Sequence, residues 1–191
     1  MSNLYGVSDD RMKYCSDCGA STSLKIPPGD TLPRHVCQNC GTIHYQNPKI
    51  VAGCIPEWHD QILLCKRAIE PRFGLWTFPA GFMENDETIE DAAIRETKEE
   101  AQTIIELAGL YTVFSIPHVS QVYMVFRGTM KENEFGAGEE SLEVRLFNLD
   151  QIPWTELAFQ VIEETLKLYC QDRATKHFSV HVGTIQRPKN S

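Results

Sequence analysis

The chain has 191 residues, 42% hydrophobic and 23% charged, which is enough for one sizeable domain plus a small module. Its 26 acidic against 18 basic residues give a net charge of −8, which argues against non-specific binding to nucleic acid. No run approaches the ~20 apolar residues of a membrane span, and the polar opening MSNLYGVSDDRMK lacks a secretory core, so a cytoplasmic protein without a membrane partner is expected.

The first feature in chain order is a pair of CxxC knuckles, Cys15-Ser-Asp-Cys18 and Cys37-Gln-Asn-Cys40, separated by eighteen residues. That spacing fits a four-cysteine zinc ribbon, with Gly19 and Gly41 supplying the turns that present the sulfurs. A pair of disulfides is the competing reading, but thiols stay reduced in the compartment expected here. Four ligands close the site, so the Zn²⁺ would be structural, and residues 1–46 are assigned to the ribbon. Cys54, Cys65 and Cys170 sit among apolar neighbours and read as buried small residues.

Residues 47–172 are assigned to a second, larger domain. Strands are expected over 50–57 and 61–67, joined at His59-Asp60, then a loop at 71–74 and a short strand over 76–78. A helix follows over 87–101, where ETIEDAAIRETKEEA has no Gly or Pro and Asp86 is available as cap. Strands at 104–114, 121–128 and 142–147 surround a Gly-rich loop at 130–139, and an amphipathic helix closes the domain over 154–169. Mixed strands with helices on both sides predict an α/β/α sandwich. The tail, 173–191, shows only the alternation of Phe178, Val180 and Val182 and is assigned no element.

The most specific signal lies between Gly81 and Glu100, where Gly81, Glu87, Arg95, Glu96, Glu99 and Glu100 stand in one fixed frame. Each residue type occurs at roughly 5–7%, so six matches have a chance frequency on the order of 10⁻⁷ per start position. At 100° per residue, Glu99 and Glu100 lie at about −60° and +40° from Glu96. Those carboxylates continue the stripe of Ile89, Ala92 and Ala93, which points inward, whereas a solvated acidic run would take the opposite face. Three partly buried acids repel one another unless a cation compensates, and Arg95 alone cannot neutralise them. Hard oxygen ligands in this number suit Mg²⁺ or Mn²⁺ holding a phosphate.

Residues 81–103 resemble the Nudix box of the MutT/Nudix hydrolases. The resemblance implies the Nudix fold, with Glu96, Glu99 and Glu100 as Mg²⁺ ligands, the Gly81 carbonyl assisting, Arg95 orienting a glutamate and Glu87 supporting the loop. This chain departs from the family pattern at Thr97, Gln102 and Thr103, positions that shape the helix exit and its packing. The ribbon, YQNPK at 45–49, SIPHVSQVY and ESLEVRLF together look like Nudix enzymes acting on FAD and ADP-ribose. Ser115-Ile-Pro-His-Val-Ser-Gln121 lacks the Trp and Phe of the signature carried by NADH pyrophosphatases, and Pro117 resembles the proline of the ADP-ribose-cleaving subset. The implied activity is Mg²⁺-dependent hydrolysis of a nucleoside diphosphate derivative with release of AMP. The alternatives are an NADH pyrophosphatase, a cap-type RNA hydrolase, or a non-catalytic nucleotide-sensing module.

Within that frame Arg67, Arg72 and Lys66 are candidate phosphate partners, and His118 and Gln121 lie on a loop that reaches the cleft. Trp76 and Phe78 are read as either core or base-stacking aromatics. Glu140, with Glu139 and Glu143 beside it, is the candidate base, on a Gly-rich loop expected to move over the site. The expected partners are a small nucleotide substrate and a second copy of the chain in a homodimer.

Overall fold

The structure, a computed structural model, describes residues 12–187, which divide into two compact units at Asn47/Pro48. The N-terminal unit is a small antiparallel sheet of β1 (Thr22–Lys25), β2 (Arg34–Cys37) and β3 (Ile43–His44). Among its described residues only Cys15, Pro27, His35 and Cys37 are buried. An apolar core that small cannot hold a fold by itself, so the unit depends on what its sulfurs bind.

The larger unit opens with β4 (Lys49–Trp58), β5 (Gln61–Arg67), β6 (Trp76–Thr77) and β7 (Ala80–Phe82), followed by α1 (Ile89–Ala101). Then come β8 (Ile105–Ile116), β9 (Gln121–Met130), β10 (Ser141–Asn148), α2 (Gln160–Thr175) and β11 (His181–Thr184). They build an eight-stranded sheet in the order β10-β5-β4-β9-β8-β11, with β6 on β5 and β7 on β4. The β4–β9 and β8–β11 pairs are parallel and the others antiparallel, so the sheet is mixed.

Strand alternation divides the core into two layers. On one face Ala52, Cys54, Leu63, Cys65 and Phe126 meet Ala92, Ala93 and Ala101 of α1. On the other, Ile55, Ile62, Leu64 and Val125 meet Val161, Ile162, Leu166 and Tyr169 of α2. This is the expected sandwich. No helix among the described residues is long and apolar enough to cross a membrane.

Four sequence expectations are corrected. Thr88, not Asp86, caps α1: its hydroxyl accepts the Asp91 amide at 3.1 Å while the Asp91 carboxylate accepts the Thr88 amide, and Asp86 sits in the preceding turn at φ 65°. The closing helix begins at Gln160 rather than 154, because Trp154–Glu156 is a 3₁₀ turn and Ala158 donates its amide to the Trp76 carbonyl. That helix runs on to Thr175, through the boundary placed at 172. Within the described part of the tail, 173–187, which the sequence assigned no element, β11 pairs in parallel with β8 and extends the sheet; residues 188–191 lie outside the described residues.

A polar node holds the end of α2 to the strands. Glu57, buried, accepts Arg127 Nε at 2.6 Å and Arg173 Nη1 at 3.2 Å, and Arg173 also reaches Asp60 at 3.0 Å. The Arg127 guanidinium lies 3.3 Å from the Phe178 ring centroid. Removing Glu57 leaves two guanidinium groups without their shared partner. Glu57→Ala is expected to cost about 2 kcal/mol, below the range for fully buried pairs because both arginines are partly solvated, read as a lower urea midpoint at unchanged slope.

Candidate active site

A cleft of about 1080 Å³ opens in the larger unit. One wall is α1. Glu100 is buried at 6% exposure, Glu96 is half-buried and Glu99 exposed, so the three acids of one helix face enter the cleft at graded depth. Gly81 of β7 packs directly against the Glu96 carboxyl, and a Cβ there would overlap it. Any other residue at 81 displaces that carboxylate, which is why the frame begins with glycine.

Arg95 ties the group together. Its Nε and Nη2 donate to Glu87 at 3.0 and 2.8 Å, its Nη1 donates to Glu96 at 2.7 Å and to Glu99 at 2.9 Å, and Nη2 also reaches the Phe82 carbonyl at 3.2 Å. Glu87 accepts the Glu84 amide at 2.6 Å as well, and Arg95 together with that amide holds its carboxyl at about 2. Glu87 is thus taken up by the loop.

Glu100 lies outside the reach of Arg95. Burial first, and then the charge of Glu96, pushes its carboxyl up to about 8, opposed by the Ala80 amide that it accepts at 3.2 Å. Burial raises Glu96 in the same direction against the pull of Arg95. Glu96, Glu99 and Glu100 each keep an oxygen outside these hydrogen bonds. These donors are hard, anionic and short of countercharge, which fits a divalent cation such as Mg²⁺ or Mn²⁺. Among the described residues only the four cysteines bring their ligand atoms within 4.8 Å of one another, so the glutamates stand further apart.

The Gly-rich loop carries Glu139 and Glu140 to the rim of the same cleft. It is not the loose flap expected from its glycines. Gly136 donates its amide to the Ala101 carbonyl at 2.9 Å and Gly138 to the Glu100 carbonyl at 3.1 Å, while the Glu140 carbonyl accepts the Ala68 amide at 2.8 Å. A Cβ at Gly138 would overlap the Glu99 carbonyl, so the glycines serve close approach to the helix end rather than motion. Gln102, where the family usually has glycine, takes the left-handed conformation at φ 49° and ends α1.

Arg67, Arg72, His118 and Gln121 all line the cleft. Arg67 Nε donates to the Pro71 carbonyl at 3.0 Å, and its guanidinium stacks on Phe159 at 5.3 Å. Several expectations fall away. Lys66 points to the opposite side of β5, its Nζ 5.6 Å from the Trp76 ring. Glu143 pairs with Arg145 at 3.7 Å, outside the cleft lining, and of the two readings of Trp76 and Phe78 the core one holds, since both are fully buried. Tyr123, Phe82 and Phe159 line the cleft without having been singled out as cleft residues. Period-two alternation from Gln121 marks Tyr123, whereas nothing local marks Phe82 or Phe159.

In the other unit the sulfurs stand 3.4 Å apart for Cys18–Cys37, 3.5 Å for Cys18–Cys40 and 3.7 Å for Cys15–Cys40. These separations are too long for disulfides and match the edges of a tetrahedron with ~2.3 Å metal–sulfur bonds. The amides of Asn39 and Cys40 point at Cys37 Sγ, both at 3.4 Å, and Thr42 helps hold the Cys40 thiol down to about 6. Burial pushes Cys15 the other way, to about 11, so a cation is needed to keep all four as thiolates.

Comparison with known proteins agrees with this geometry. The family described as Nudix N-terminal, a zinc ribbon, matches residues 13–46, and the NUDIX domain matches residues 47–168. An ADP-ribose pyrophosphatase of Methanocaldococcus jannaschii is 36% identical over 121 residues, covering 60% of this chain and 69% of that protein. An NAD-capped RNA hydrolase NudC of Photobacterium profundum is 32% identical over 173 residues, 86% of this chain but 60% of that protein, so the chain spans well under the full length of this relative. A crystal structure of a NUDIX hydrolase from Nitrosomonas europaea, 55% identical, superposes with a TM-score of 0.89 over 92% of this chain and 100% of that one.

The Glu100 carboxyl makes stability depend on pH in a definite direction. Its folded value, about 8, exceeds the ordinary 4.5, so the folded protein holds the extra proton between these limits and loses stability as pH rises through that window. In the metal-free protein the melting temperature should fall between pH 6 and pH 8, and Glu100→Gln should flatten that slope.

Proposed function

The chain belongs to the Nudix hydrolase family, and we propose that it cleaves the pyrophosphate bond of a nucleoside diphosphate derivative, ADP-ribose or FAD, releasing AMP. The observation that carries this reading is the pairing of three α1 carboxylates with Arg67 and Arg72 in one cleft large enough for a dinucleotide. Glu96, Glu99 and Glu100, with the Gly81 carbonyl, would hold Mg²⁺ or Mn²⁺. When bound, that cation neutralises pyrophosphate oxygens and lowers the pKa of an attacking water.

The chain's own residues do the rest. Arg95 holds Glu96 and Glu99 in place through its fork and is itself anchored by Glu87. Arg67 and Arg72 pair with phosphate oxygens and orient the diphosphate, and His118 donates to the outer phosphate or sugar. Glu140, fixed by Gly138 and Ala68, takes the proton from water as its oxygen bonds to phosphorus and the bridging P–O bond breaks. In the N-terminal unit, Cys15, Cys18, Cys37 and Cys40 bind Zn²⁺ and supply the stability that its small core cannot.

The similarity to the NudC relative runs through the ribbon, which favours NAD-type substrates, including capped RNA, as a second reading. The SIPHVSQ stretch speaks for ADP-ribose and FAD instead. Pyrophosphate cleavage with Mg²⁺, measured side by side as AMP release from ADP-ribose, FAD and NADH and as nicotinamide mononucleotide release from NAD-capped RNA, separates the two. Glu100→Gln and Glu140→Gln should each lower turnover by about 10² to 10⁴. Full activity in Glu100→Gln would remove the hydrolase reading. A zinc chelator should expose four thiols to a colorimetric reagent while the buried Cys54 and Cys65 stay unreactive.

A further inference from the structure

The cleft lining combines two chemistries. The acids of α1 and of the loop at Glu139 and Glu140 stand with Arg67 of β5 and Arg72 of the loop that follows it, and an apolar set comprises Ile116, Val119, Ala158, Phe159, Val161 and Ile185. The two sets meet where the Arg67 guanidinium stacks on Phe159. Ile116, Val161 and Ile185 belong to the α2-side core, and Phe159 packs against it. Ile185 comes from the C-terminal segment, beyond residue 168 where the NUDIX match ends.

Two anchors hold that segment in place. Ile185 donates its amide to the Ser115 carbonyl at 2.9 Å, continuing the β11–β8 ladder to the edge of the cleft. Upstream, Asp172 accepts the Tyr111 hydroxyl at 3.0 Å and pairs with His181 at 2.7 Å, while Phe178 packs edge-on to Tyr111 and lies against the Arg127 guanidinium. The Ile185 side chain is therefore seated before any ligand arrives, and its residual 6% exposure is at a residue lining the cleft.

We infer that the segment following β11 is part of the substrate site, and that Ile185 is a specificity-determining residue whose side chain receives a planar, uncharged ring of the substrate. This rests on the pyrophosphatase reading, which places a diphosphate between the acids and Arg67 and so brings one ring-bearing arm onto the apolar set that begins at Phe159. A flat ring gains by leaving water for such a surface, while a bare sugar phosphate does not. Adenine and isoalloxazine share this chemistry, and the test tells them apart.

The experiment is calorimetric titration of the full chain with Mg²⁺ present, using AMP, FMN and ribose 5-phosphate, for the unaltered protein and for Ile185→Ala and Ile185→Asp. The unaltered protein should favour AMP or FMN over ribose 5-phosphate, and whichever gains more identifies the ring. Ile185→Ala should reduce that preference about tenfold, the value of a few lost methyl contacts, with ribose 5-phosphate affinity unchanged. Ile185→Asp should abolish the preference. If Ile185→Asp fails to melt cooperatively, Ile185→Ala decides. A preference retained in Ile185→Ala, a proportional loss for all three ligands, or no preference in the unaltered protein overturns the inference. AMP release is scored separately: release with an unmoved preference sinks only the role of Ile185, and no release sinks the pyrophosphatase reading whatever the titrations show.

Discussion

The guanidinium of Arg95 makes the rest of the site possible. Three carboxylates along one and a quarter turns of a helix would drive each other apart or take up protons. By bonding Glu87, Glu96, Glu99 and the Phe82 carbonyl at once, this one cation holds two of the acids and the preceding loop in register. It leaves Glu100 uncompensated, deep against β7, with its carboxyl raised toward neutrality by burial. That unbalanced pairing separates a binding site from a structural ion-pair network, in which the charges would cancel.

Around this helix the fold does two separate jobs with the same sheet. The α1 face is lined with small residues, Ala52, Ala92 and Ala93 among them, which let helix and strands approach closely enough for Glu96 to sit against Gly81. The α2 face is filled with large side chains, Trp76, Tyr111, Phe147 and Tyr169, and bears most of the apolar burial. Residues from both layers line the cleft, the acids of α1 from the tight face and Ile116, Val161 and Ile185 from the bulky one.

The Gly-rich loop shows how local chemistry misleads. Glycines at 136 and 138 read as flexibility, yet both amides are spent on helix carbonyls, and at 138 the Glu99 carbonyl leaves no room for a side chain. Glu140 is consequently tied to the helix that carries the other three acids and, through Ala68, to the strand that carries Arg67.

Features set by periodicity and spacing were legible from the amino-acid order alone. The Gly81–Glu100 frame, the inward face of α1, the two CxxC knuckles and most strands follow from rules that act within a few residues of one another. What tertiary structure decided depends on partners distant in the chain. Lys66 and Arg67 are neighbours with the same charge, and only the pleat of β5 sends one to Trp76 and the other to the cleft. The start of α2 was moved to Gln160 by a bond from Ala158 to the Trp76 carbonyl, some eighty residues earlier. The C-terminal residues became a strand only because β8 offered an open parallel edge and Asp172 a pair of anchors, a pairing whose hydrogen bonds no local propensity encodes.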